Sequence, residues 1–186
     1  MKTYKTTYRL FFLLTIFVCF ENCATWKGVF TSSGNINDAV NNAVTDFLHT
    51  SKLSKRDTIF DVYIHEKEDI FIVSVGGADN KIFPSERYRD GIYDEVFPTR
   101  YIIRNEKLFY WTDTTQTVTQ DIISVLEKYN HIDTLWWATG GLPPAVINDG
   151  YEAIVYFFCK NDLRNYKKKR ADNIRRHYRT PQLKCK

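Results

Sequence analysis

The sequence predicts an α+β fold: a mainly antiparallel sheet of about five to six strands, two helices packed on one face, and a basic C-terminal helix or tail. Three observations carry this expectation. Two segments repeat apolar residues at helical spacing. Several short runs, rich in Tyr, Phe and Ile, either alternate or are apolar throughout. The order helix, strands, helix, strands lacks the regular alternation of doubly wound folds.

The first helix follows a short tether from Ala24 to Gly34. Ile36, Ala39, Val40, Ala43, Val44, Phe47 and Leu48 share one helical face, with Asn35, Asn37 and Asp38 suited to the cap. His49 to Asp57 reads as a polar turn. From Thr58 to Ile64, Phe60, Val62 and Ile64 alternate. Ile70 to Val75 is apolar on both faces, as a central strand requires, and Lys67-Glu68-Asp69 turns the chain between the two. Gly76 to Pro98 has no clean period, and its hydrophobic groups argue against disorder. Thr99 to Arg104 and Lys107 to Thr112 form the clearest hairpin, turning at Asn105-Glu106. Thr117 and Gln120 make a capping-box pair ahead of a second helix, with Val118, Ile122, Val125, Leu126 and Tyr129 on one face and Asn130 as its stop. Leu135 to Ala138 reads as a short strand, Gly140 to Pro144 as a break, and Glu152 to Cys159 as a further central strand. Leu163, Tyr166, Arg170, Ile174 and Tyr178 suggest a last helix from about Asp162 to Tyr178.

The N-terminus points to export. Lys2, Lys5 and Arg9 precede an apolar run from Leu10 to Phe20, eleven residues where a spanning helix needs about twenty, and Cys23 follows. This arrangement resembles the signal sequences of bacterial lipoproteins. The resemblance covers residues 1–23 only, with Phe20 and Asn22 at positions where that class prefers small residues. It implies that residues 1–22 are a cleaved signal peptide, that Cys23 is acylated, and that the chain is held to a membrane in the cell envelope (outer membrane or periplasm); without acylation of Cys23 the product would be secreted. The expected organisation is then signal peptide 1–22, tether 23–34, a single domain 35–159 and a basic segment 160–186.

Charge is unevenly placed. Residues 160–186 hold eleven Lys or Arg against two Asp, net +9, whereas residues 24–159 hold twelve basic against nineteen acidic residues, net −7. Without the leader and Cys23, Cys159 and Cys185 remain. In an oxidising compartment they are expected to form a disulfide.

Candidate sites follow from exposed chemistry. Lys167, Lys168, Lys169, Arg175, Arg176 and Arg179 would line a cationic surface suited to anionic lipid, with nucleic acid disfavoured for an exported protein. In a strand, Trp136 and Trp137 point to opposite faces, so either one is core while the other faces outward as a stacking platform, or both faces are covered. Arg87 and Tyr88 lie in the long segment after Gly76-Gly77, where a ligand can approach the backbone. The four histidines are scattered; His65-Glu66 lacks a zincin partner, and Ser74 lacks a nucleophile elbow. No metal or cofactor is expected. The sequence therefore suggests a non-enzymatic envelope module that binds a protein or glycan. The alternatives are a secreted hydrolase of an envelope polymer, and an electrostatic adaptor for anionic lipid.

Overall fold

The computed structural model describes residues 34–78, 81–82, 97–133, 152–171 and 181–185. The first helix, α1 (Ile36–Thr50), starts where Asn35 Oδ1 accepts the Asn37 N–H at 2.8 Å. That bond satisfies one of the donors a helix start leaves open. In place of a polar turn, a single helical turn follows, α2 (Leu53–Arg56), because Ser51 Oγ accepts the Leu53 N–H and Ser54 Oγ donates back to the Leu48 and Ser51 carbonyls.

Six strands form one sheet: β1 (Ile59–Lys67), β2 (Ile70–Gly77), β3 (Arg100–Arg104), β4 (Lys107–Trp111), β5 (Ala153–Cys159) and β6 (Asp162–Ala171), in the order β3-β4-β1-β2-β5-β6. Every pair is antiparallel except β1 with β4. The α+β class and the mainly antiparallel sheet therefore hold. The β3–β4 hairpin turns as expected: Asn105 and Glu106 take φ of 50° and 61°, the left-handed pair that a two-residue hairpin turn demands. The second long helix, α3 (Gln120–Lys128), begins at Thr119 without a side-chain cap, so the Thr117–Gln120 capping box does not form. Asn130, at φ 53°, ends it.

The helices do not share a face. Strand side chains alternate between the two sides of the sheet. Phe60, Val62, Phe71, Val73, Phe109, Tyr156 and Phe158 pack under α1. Their neighbours in sequence, Ile59, Leu108 and Tyr110, pack with α3 on the opposite side. At the heart of the α1 side, Phe60 stacks on Phe109 at 4.9 Å while Phe47 meets Phe60 edge-on at 5.0 Å. Burying each ring contributes about 2–3 kcal/mol. On the α3 side, toward the other end of the sheet, Ile70, Val155 and Phe157 form a third cluster with Leu183 and Cys185.

The expected C-terminal helix is also corrected. From Asp162 to Ala171 the chain is strand β6, paired with β5 after a two-residue turn at Lys160-Asn161. Lys and Arg are good helix formers, but β5 is apolar on both faces and already pairs with β2 on one side. Pairing its other edge outweighs the local preference. The expected strand at 135–138 and most of the 76–98 segment lie outside the described residues.

Candidate functional site

Strand β6 is at the edge of the sheet, and it concentrates charge. Its register sets Lys168 and Arg170 opposite Tyr156 and Ile154, on the α1 side, and Lys167 and Lys169 opposite Phe157 and Val155, on the other. Three consecutive lysines thus divide between two faces, where a helix would have grouped them.

The division decides what each charge does. Lys168 Nζ reaches Asp46 Oδ2 at 2.6 Å and Thr50 Oγ1 at 2.9 Å. Asp46, on α1, is only 4% exposed. It also accepts hydrogen bonds from the hydroxyls of Tyr156 at 3.0 Å, Tyr166 at 3.2 Å and Thr50 at 3.0 Å. Burial, reinforced by the Asp46 charge, raises the Tyr156 phenol far above its ordinary range and pushes Tyr166 up to about 12. Both therefore stay protonated and act as donors. Arg170 pairs with Glu152 at 2.5 Å and Arg164 with Asp162 at 2.8 Å. Lys167 and Lys169 differ. Both are exposed, and neither meets a carboxylate among the described residues. Among the described residues, Lys167 donates to the Gln182 carbonyl, at 2.8 Å.

That bond belongs to the strap formed by residues 181–185. Cys185 is joined to Cys159 as expected, with Cα atoms 5.4 Å apart. Asn165 donates to the Lys184 carbonyl at 3.1 Å, and Leu183 covers Val155 and Phe157. Between the strap and the β1–β2 turn is a cleft of about 410 Å³ lined by Lys67, Glu68, Asp69, Ile70 and Lys184 among others. A smaller one, about 180 Å³, is bounded by Thr50, Ser51, Ile154 and residues 168–170. The first cleft mixes both signs of charge; the second is lined by cations, two of which, Lys168 and Arg170, are already paired with Asp46 and Glu152.

His131 is the one histidine buried among the described residues, 2% exposed, with Nε2 2.9 Å from the Tyr110 hydroxyl. Burial, and secondarily Lys81, lowers its pKa to about 4; burial and the Asp61 charge raise Tyr110. The Ile82 N–H donates to the His131 carbonyl at 2.8 Å, and the His131 N–H to Leu126. Neutral and enclosed, His131 ties the end of α3 to the sheet. Among the described residues no cluster of His, Cys, Asp and Glu is arranged to hold a metal.

Cys23, Arg87, Tyr88, Trp136, Trp137, Arg175, Arg176 and Arg179 lie outside the described residues. Of the expected site residues, the structure thus places Lys167, Lys168, Lys169, Cys159 and Cys185. Sequence reasoning missed Asp46 as the centre of the polar network. The available signal was an acidic residue beside Ala43 and Phe47, on the arc of α1 that has to be buried. Comparison with known proteins gives no match to the chain: no protein-family model, no curated protein and no solved structure.

Proposed function

We propose that this protein is an exported, lipid-tethered and non-enzymatic interaction module of the cell envelope, and that it works by engaging an anionic counterpart along the edge strand β6. The observation that carries this reading is the contrast between Lys168, whose charge is paired with the buried Asp46, and Lys167 and Lys169, which meet no carboxylate among the described residues. Long-range attraction comes from such uncompensated charges, because paired ones cancel beyond a few ångströms. The disulfide supports the exported half of the reading, since such bonds persist in oxidising compartments. The leader and Cys23 supply the tether.

The test is a double charge reversal, Lys167→Glu with Lys169→Glu, which leaves the Asp46–Lys168 pair untouched. Binding of polyglutamate and of phosphatidylglycerol vesicles is measured against salt concentration. The native protein should bind at least one of them, with affinity falling steeply as salt rises, and the variant about tenfold more weakly. Equal binding by both proteins, or binding indifferent to salt, would remove β6 as the working surface.

A further inference from the structure

We infer that the counterpart of β6 is an extended acidic polypeptide segment that adds to the sheet as a seventh strand, with acidic residues at every second position. This rests on the reading of β6 as the working surface and names the partner class.

The sheet order ends at β6, and no described strand lies outside it. Beyond the irregularity at Phe158–Cys159, its ladder with β5 is regular from Tyr166 to Ala171. An edge strand of this kind turns the N–H and C=O of alternate residues outward, a template for another extended chain. The opposite edge offers less. Strand β3 has only five residues, and its arginines are held in place: Arg104 lies against α1, donating to Asn41 and Thr45, and Arg100 pairs with Asp113.

Charge then selects the occupant. A second copy of β6 laid antiparallel along this edge would bring one lysine cluster against another, and like charges on adjacent strands repel. The lysines that reject self-pairing favour an acidic strand, so one device excludes one partner and recruits another. Strand parity sharpens the match. On the strap side, Lys167 and Lys169 are two residues apart and lack carboxylates among the described residues, so acidic side chains two apart on the incoming strand would meet both. On the α1 side, Lys168 and Arg170 are already matched by Asp46 and Glu152, so the intervening residues of the partner need carry no charge. The strap does not compete for the ladder, because its contacts to β6 are made by the side chains of Asn165 and Lys167.

The test uses the full exported protein and a short synthetic peptide alternating glutamate with threonine. Its control has proline at two central positions, which keeps the charge and removes ladder donors. Binding is read by titration, and hydrogen exchange of the β6 amides by NMR. The alternating peptide is expected to bind about tenfold more tightly than the control and to slow exchange of outward-facing amides between residues 166 and 170 by about tenfold or more. Equal binding of both peptides, or binding without slowed exchange in β6, would overturn strand addition and leave the electrostatic reading standing. Salt-sensitive binding of phosphatidylglycerol vesicles with neither peptide bound would also overturn it, in favour of a lipid surface. Binding of no anionic probe at all would end both readings together.

Discussion

At the scale of single residues, identical charges have different fates, and position in the sheet decides which. Asp46 is buried with two tyrosine hydroxyls, a threonine and Lys168, so its desolvation is offset by several short bonds at once. Lys168 is therefore part of the fold, and mutating it would test folding before binding. His131 gives a cleaner probe of the interior. Its pKa is about 4 in the fold against an ordinary 6.5, because burial, then Lys81, disfavours the charged form. The unfolded chain thus binds a proton between those values that the folded chain does not. Stability should be full above pH 6.5 and fall as the pH drops, losing about 3 kcal/mol by pH 4 and little more from this group below that. The exposed carboxylates act in a separate window: Asp113 and Asp162 are held below the ordinary 3.8 by hydrogen bonds to Thr115 and Arg164 respectively, and they lose their contribution only at lower pH. Urea titrations at stepped pH should show the loss between pH 6.5 and 4 in the native protein and its absence in His131→Gln. A native profile flat across that interval would refute the buried neutral imidazole.

At the scale of elements, the strap is the least self-sufficient piece, and the disulfide is its main attachment. Among the described residues, Leu183 and Cys185 are what it packs against the core, and two side chains reach its carbonyls. The bond spans 26 positions of sequence, for which the chain-entropy model gives roughly 3–4 kcal/mol. Cys185→Ser should lower the unfolding free energy by about 3 kcal/mol and make it insensitive to dithiol reductants. An unchanged urea midpoint would show that the strap holds without its clip. This bond was legible in the sequence because two cysteines remained for an exported domain. Helix α1 was legible because its apolar stripe is continuous, and the β3–β4 turn because Asn-Glu sits between two short runs rich in aromatic and β-branched residues. Strand β6 was not, since its identity comes from the open edge of β5 and not from its own lysines and arginines. The placement of α3 was not either: periodicity says which residues share a side of a strand, but not which helix covers that side. For the site, the sequence revealed the charges of Lys167 to Lys169 and hid their sorting. That sorting depends on strand parity and on an aspartate 122 positions away.

At the scale of the whole molecule, the point where the described chain begins lies beside the turn that leads into the basic strand. Gly34, at the end of the expected tether, passes so near the Lys160 carbonyl that a Cβ there would stand 2.5 Å from its oxygen. Lys160 opens the turn into β6, so the chain enters the folded body beside its basic strand. Residues 23–34 can span at most about 40 Å. An anchored molecule would therefore hold β6 within a thin layer above the membrane. Confinement matters because pairs at an exposed edge are individually weak, about 0.2–1 kcal/mol each, whereas tethering raises apparent affinity for a partner on the same membrane by about 10²–10⁴-fold. The proposed acylation of Cys23 thus sets both location and working strength. Cys23→Ala should move the protein from the membrane fraction to the soluble envelope fraction and abolish fatty-acid labelling. Peptide binding by the purified domain should stay unchanged, because the β6 edge is intact. Membrane retention after that substitution would mean that something other than the cysteine holds the protein there, and the confinement argument would fail with it.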